Sequence, residues 1–304
     1  MKKRLQHLFQ YWVCDTAIGL LKMTIHHGLR FLPIDRGSAF GALISPIASR
    51  QYAASDRRAR RAWQILRSEE ADPASVDAAM RRLWRSVGRT MTEFSVLDRL
   101  WDAGRIEVTG VEHLDAVRDA DKPRLVVGLH LGNWETIPVA LIRSGHPGSG
   151  IYLTLDNRFE TRIAVKSRER YGAILFAGEG PEAMRAAIKA LTLKEGIFII
   201  FIDEFIRGRV FAPAFGRQLK PEGNIAYVAR LAAMTGAEII PAYCERLGDR
   251  AQFKVTFLPP VPLVRGRSDA YLMSNVAAIN NVIEPIVREH LDQWFYVLDF
   301  EFDN

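Results

Sequence analysis

The pattern of apolar and polar positions changes character once along the chain, near residue 105. Up to that point apolar residues recur at helical spacing. Leu5, Leu8, Phe9, Trp12, Thr16, Leu20 and Met23 fall on one face of the first stretch, while Arg4, Asp15 and Lys22 share the opposite flank. The periodicity predicts a first helix to about residue 31, a second near 37–49, a third near 56–68 and a long fourth from about 74. Asp72-Pro73 followed by Ser75 marks the start of the fourth. Beyond Arg105, short β-rich runs at 106–109, 124–129, 150–154, 196–202, 238–244 and 252–257 alternate with helical patterns at 133–144, 158–171, 181–193 and 221–235. That alternation predicts an α/β fold, a mixed and largely parallel sheet flanked by helices. We divide the chain into an N-terminal helical, basic and amphipathic extension, residues 1–104, and an α/β core, residues 105–304.

With 304 residues and 48% hydrophobic content the chain can bury a substantial core. Cys14 and Cys244 lie far apart and form no metal-ligand or redox spacing, which points to a reducing cytoplasm and to no metal site. The net charge of +6 is unevenly placed: residues 1–105 carry 18 Lys and Arg against 10 acids, the remainder 23 against 25. Such a basic segment suits an anionic membrane surface or an acidic carrier protein. Nucleic acid is set aside, because neither a zinc-finger spacing nor an RNP signature accompanies the charge. Asp15 and Lys22 interrupt the first apolar stretch, and no small-residue cleavage site follows it. With Lys2, Lys3 and Arg4 ahead of it, the stretch reads as an interfacial helix, packing on its own domain being the alternative.

The candidate chemistry sits where predicted strands stop. Leu125 to Leu129 reads as a buried strand ending on His130, Gly132 relieves a tight turn, and Asn133 suits the N-cap of a helix from Trp134. His130 can take a proton from a hydroxyl near neutral pH and return it. Glu135 is placed to orient it only across a strand–turn–helix, since a spacing of five on one helix sets side chains about 140° apart. The strand at 196–202 stops on Asp203-Glu204, and sites in open α/β sheets gather outside the carboxyl ends of strands. A cleft shared by His130 and these acids is therefore predicted; the competing expectation pairs the acids with Arg207 and Arg209. Oxyanion donors are expected among the backbone N–H groups of Gly132 to Trp134. Neither a Gly-x-Ser-x-Gly elbow nor a His-Glu-x-x-His zinc site is present.

The stretch His130-Leu131-Gly132-Asn133-Trp134-Glu135 resembles the His, four residues, acid motif of the lysophospholipid acyltransferase superfamily, in the form used by late acyltransferases of lipid A biosynthesis. Similar too are the arginine-rich segment Arg81 to Trp101, the lead-in Ile106 to Leu114, the stretch Phe211 to Gly216 and the pair Gln293-Trp294, so the resemblance covers nearly the whole chain. It implies transfer of a fatty acyl chain from an acyl thioester, on acyl carrier protein or coenzyme A, to a hydroxyl of an acylated glycolipid such as a lipid A precursor. It also implies the cytoplasmic face of a bacterial inner membrane, and no cofactor beyond the acyl co-substrate. Another glycolipid or phospholipid acceptor is one alternative, a non-catalytic lipid-binding protein of the same fold another; the intact His130 and Glu135 weigh against the second. Of the acids at 135, 203 and 204, the residues leave open which one holds the His130 tautomer, and the resemblance favours Glu135, with Asp203, Glu204 and Asn133 in support. Arg168 and Arg170 resemble the family's basic segment, and with Arg207 and Arg209 they imply phosphate binding by guanidinium forks. The sequence departs from the family at Asp15, Lys22 and Glu204, the last where a neutral amide is common.

Overall fold

The computed structural model describes residues 9–152, 155, 157–177, 181–194, 196–266 and 268–303. Lys2, Lys3, Arg4, Leu5 and Leu8 of the predicted first helix lie outside the described residues. A π-helical turn at Gln10–Cys14 runs into α1 (Asp15–Leu29), followed by α2 (Ile34–Gln51), α3 (Ala53–Leu66) and α4 (Pro73–Glu93). The start of α4 follows from the sequence: the Asp72 carboxylate accepts from the backbone N–H groups of Ala74 and Ser75, at 3.0 and 3.1 Å, and Pro73 opens the helix. Helices α2 and α4 touch backbone to backbone, because Gly41 and Gly88 meet; a Cβ on Gly41 would stand 2.1 Å from the Gly88 carbonyl oxygen. Trp63 and Leu66 of α3 and Val76, Met80 and Leu83 of α4 lie in one apolar core with Leu125 and Val127 of the sheet.

The sheet comprises β1 (Ile106–Thr109), β2 (Arg124–Gly128), β3 (Gly148–Tyr152), β4 (Ile174–Ala177), β5 (Ile197–Phe201), β8 (Glu238–Arg246) and β9 (Phe253–Phe257), in the order β1-β9-β8-β2-β5-β3-β4. Between them a two-stranded hairpin, β6 (Phe205–Ile206) and β7 (Arg209–Val210), follows β5. All neighbours in the large sheet pair in parallel except β8 with β9. The predicted mixed, largely parallel sheet is thus present. Helices α5 (Val111–Asp119), α6 (Thr136–Arg143), α7 (Arg158–Glu169), α8 (Pro181–Leu193), α9 (Gly223–Thr235) and α10 (Asp269–Glu289) surround it. Central β2 is buried at every residue between β5 and β8, which is why it reads as an unbroken apolar run instead of an alternating one. Strand β4 and the hairpin have no counterpart in the predicted elements. Each is only two to four residues long, and β4 forms the sheet edge with Ile174 exposed, so neither carries enough periodic signal.

Helix α1 lies against α7 through its polar flank. Lys22 pairs with Glu160 at 2.5 Å, Arg158 donates to the Tyr11 carbonyl and to Thr16 Oγ1 at 2.9 and 2.7 Å, and Asn157 donates to the Asp15 carbonyl at 2.8 Å. Asp15 and Lys22, which interrupt the apolar stretch in the sequence, therefore belong to its docked side. The other side leaves Ile18, Leu21 and Ile25 exposed, and further along the chain Phe31, Leu43 and Ile47 are 89%, 76% and 67% exposed. No helix among the described residues is long and apolar enough to cross a membrane.

Candidate active site

Strands β2 and β5 run in parallel with Gly128 opposite Phe201, so their carboxyl ends stop side by side. His130 follows one strand and Asp203 the other. The Asp203 carboxylate is fully buried and accepts three N–H donors, each at 2.8 Å: Nδ1 of His130 on Oδ1, and the His130 backbone N–H and the Trp294 indole N–H on Oδ2. An acceptor on Nδ1 fixes the proton there and leaves Nε2 as the basic nitrogen. The ring is walled by Trp134, Phe201 and Tyr296, with centroids 5.1, 4.6 and 4.9 Å away. Burial alone would lower the imidazole pKa. The charge and hydrogen bond of Asp203, with smaller contributions from Glu204 and Glu135, outweigh it and hold the value above the usual 6.5.

The expectation that Glu135 orients His130 is corrected by this geometry. Glu135, at the entry to α6, is clasped by Arg168 of α7, with Nε donating to Oε2 at 3.0 Å and Nη2 to Oε1 at 2.5 Å. Arg168 is largely buried, which disfavours its charge, yet the Glu135 carboxylate holds its pKa above the usual arginine value. The forked pair and Glu204 both line the cleft that opens at His130. Asn224 donates to Glu204 Oε2 at 2.7 Å, and burial raises the Glu204 pKa. From these polar groups a cavity of about 250 Å³ runs between α6 and β3, walled by Pro138, Leu141, Ile142, Gly150, Ile151 and Tyr171. The groups beside His130 are ionic and the walls beyond them apolar. Among the described residues there is no group of three or more His, Cys, Asp or Glu side chains that could hold a metal ion.

Several other sequence-predicted residues lie elsewhere. Asn133 is fully buried beneath the loop and donates to Glu93 Oε2 at 2.9 Å, in a network where Arg246 meets the same carboxylate at 2.6 and 2.7 Å. It does not line the cleft and does not cap α6, which begins at Thr136. Of the expected backbone oxyanion donors, the Gly132 N–H is engaged by the Gln293 carbonyl at 3.1 Å and the Asn133 N–H points to the Cys244 sulfur, whereas the Trp134 N–H makes no backbone hydrogen bond. Arg170 lies beyond the end of α7 and lines a separate pocket beside His26. Arg207 is exposed in the β6–β7 turn at a φ of 51°, and Arg209 pairs with Asp303 at 2.5 Å. Neither arginine meets Asp203 or Glu204, so the competing ion-pair expectation also fails.

Over residues 2–299 the chain matches the family described as bacterial lipid A biosynthesis acyltransferase. The chain belongs to that family. It is 24% identical over 302 residues to the lipid A biosynthesis lauroyltransferase of Escherichia coli, covering 95% of this chain and 90% of that protein. It is 27% identical over 176 residues to the phosphatidylinositol mannoside acyltransferase of Mycolicibacterium smegmatis, covering 57% of this chain and 55% of the relative. The chain thus spans about half the length of the mycobacterial protein and nearly all of the other. As a member of this family it is an acyltransferase.

Within that family assignment, the parts of the site that sequence reasoning missed are Trp294, Tyr296 and the pairing of Arg168 with Glu135. Residues 130–132 and 293–295 run alongside each other: Leu131 bridges Trp294, and the Phe295 N–H bonds to the His130 carbonyl at 2.9 Å. Phe215 packs edge-on to Trp294 at 5.8 Å, which ties the Phe211 to Gly216 stretch to the indole that holds Asp203. Gln293-Trp294 and Phe211 to Gly216 were visible only as stretches resembling the family. No local pattern links them to His130. Gly132 is the residue that permits the loop, with φ of 60° and a position where a Cβ would stand 2.5 Å from the Cys244 carbonyl oxygen.

Proposed function

We propose that this acyltransferase carries a fatty acyl chain from a thioester, on acyl carrier protein or coenzyme A, to a hydroxyl of an acylated glycolipid of the lipid A precursor type. His130 is the general base and Asp203 its orienting partner. Nε2 removes the proton of the acceptor hydroxyl as that oxygen attacks the thioester carbonyl carbon. The tetrahedral oxyanion collapses, the C–S bond breaks, and the departing thiolate takes the proton from the imidazolium. The carboxylate of Asp203 stabilises the imidazolium between these two transfers. Two donors serve the developing oxyanion: the Tyr296 hydroxyl, and Arg168, whose Nη1 is not used by Glu135; both residues line the cleft. Burial holds the Tyr296 hydroxyl protonated. The apolar walls between α6 and β3 take the acyl chain.

The observation that carries this reading is the His130–Asp203 pair opening on a cleft that joins ionic groups to apolar walls. The exposed apolar side of α1 and α2 supports a position on the cytoplasmic face of the inner membrane, where acceptor lipids reside. The named activity of the mycobacterial relative favours one further acceptor class, a mannosylated phospholipid. The test is transfer by the purified protein from each thioester to each acceptor, read by lipid mass spectrometry. One added acyl mass on the glycolipid with the wild type, and none with His130→Ala, is the expected result. Equal transfer by His130→Ala overturns the assignment of the base.

A further inference from the structure

A second concave site lies between α1 and α7, and it shares no lining residue with the His130 cleft. Its volume is about 440 Å³, and its polar lining is His26, His27, Arg162, Lys166, Glu169 and Arg170. Five of these six groups are basic types. The one acid, Glu169, is already paired with Lys166 at 2.7 Å. Acids close by are taken as well: Asp98 is held by Arg30 at 2.9 Å and Glu160 by Lys22 at 2.5 Å. Among the described residues neither Arg162 nor Arg170 has a carboxylate within 4.0 Å. The pocket thus gathers positive charge that the protein does not neutralise.

The positive field has a visible effect on its buried member. His26 is pushed down to about 4, first by burial and then by the charges of Arg170, His27 and Arg30, so it stays neutral at physiological pH. Its Nε2 lies 3.4 Å from the Ser167 hydroxyl, a long contact that leaves the ring free to bond elsewhere. Met23 and His27 lie three and seven residues after Leu20, so all three share one strip of α1, and Leu20 is 52% exposed. The strip leads from the exposed apolar side of the helix to the rim of the pocket. Two forked guanidiniums and neutral imidazole in a concave site match a phosphate ester better than a carboxylate, because three oxygens can be shared among them.

We infer that this pocket binds a phosphate ester, the shared chemistry of a phospholipid headgroup and of a soluble phosphate compound. The inference does not rest on the acyl-transfer reading, since binding is measured without turnover and a failure at His130 leaves it untouched.

The experiment titrates the full-length protein with inorganic phosphate by calorimetry. In parallel, the protein is floated with phosphatidylcholine vesicles, with and without phosphatidylglycerol. Arg162→Gln/Arg170→Gln is compared with Arg57→Gln/Arg61→Gln, which removes the same charge from the exposed face of α3. Losing two charge-assisted bonds should weaken phosphate binding by about tenfold or more, while the α3 variant stays within about twofold. A parallel loss of flotation with phosphatidylglycerol identifies a lipid headgroup as the source. Unchanged flotation with lost phosphate binding identifies a soluble phosphate ester. Absence of saturable phosphate binding in the wild type, or equal losses in the two variants, overturns the site. Thermal unfolding accompanies each titration; should the pocket variant fail to fold, Lys166→Gln, exposed on α7, replaces it under the same criteria.

Discussion

Replacing Asp203 by Asn keeps the shape of the side chain and changes what it offers to His130. Two N–H groups converge on Oδ2 and one on Oδ1. The amide oxygen will take the Oδ2 place, because an NH₂ there would leave two buried donors unsatisfied at about 1–3 kcal/mol each. The NH₂ then faces Nδ1 and forces that nitrogen to accept. The imidazole proton moves to Nε2, the atom required as the base. Recovering the useful tautomer means turning the amide over, at roughly 2–6 kcal/mol, or about 30-fold to 10⁴-fold in rate at 1.36 kcal/mol per decade. The usual scale of general-base catalysis, about 10² to 10⁴, falls within that range. Asp203→Asn should therefore lower kcat by about 10² to 10⁴ with KM nearly unchanged, since no bond to substrate is removed. The assay is initial-rate acyl transfer by mass spectrometry, beside Glu135→Gln, with thermal unfolding as the folding control. If Asp203→Asn keeps more than about a tenth of wild-type kcat while Glu135→Gln is inactive, Glu135 holds the catalytic role and the tautomer argument is wrong.

Other expected outcomes can be checked with the same preparation. His130 is protonated below its raised pKa and is a base only above it, so kcat/KM should fall as pH drops through a value above 6.5; an acid limb below 6.5 contradicts the influence of Asp203. Trp294→Phe removes one of the three donors to Asp203 and should lower kcat by about tenfold, the scale of a hydrogen bond to a charged group; an unchanged rate makes the indole a packing residue only. Gly132→Ala adds a Cβ at positive φ against a backbone carbonyl and should lower Tm by roughly 2–8 °C, from about 1–2 kcal/mol of left-handed strain and any further displacement; an unchanged Tm contradicts the contact. Phe31→Glu/Leu43→Glu/Ile47→Glu should lower vesicle partitioning by at least about 10², given about 1.5–3 kcal/mol for each large apolar side chain transferred; unchanged flotation places membrane attachment elsewhere.

What the sequence discloses and what it withholds divide along contact distance. The strand Leu125 to Leu129, its end at His130 and the second end at Asp203 are legible because buried strands read as apolar runs and polar residues stop them. The α4 cap is legible because Asp72, Pro73 and Ser75 are adjacent. Which acid meets His130 is not, since the answer depends on β2 and β5 being neighbours in the sheet, and strand order is set by packing. Glu135 is five residues from His130 yet turns to Arg168, whereas Asp203 is brought in by sheet pairing. The arginines illustrate the same limit: Arg168 and Arg170 are two positions apart, and the end of α7 sends one to the cleft and the other to the pocket beside His26.

The pairing of residues 130–132 with 293–295 also has a consequence for the order in which the protein becomes active during synthesis. When β2 and β5 have left the ribosome, His130 and Asp203 can already be adjacent, but the indole that holds Oδ2 and the backbone that pins the His130 carbonyl have not been made. Closing so long a loop comes after the local contacts have formed. The three bonds on the Asp203 carboxylate therefore cannot all be present until the last part of the chain has been made. The organisation of His130 and Asp203 is thus a late event, complete only when the segment from Gln293 to Tyr296 seats against the loop.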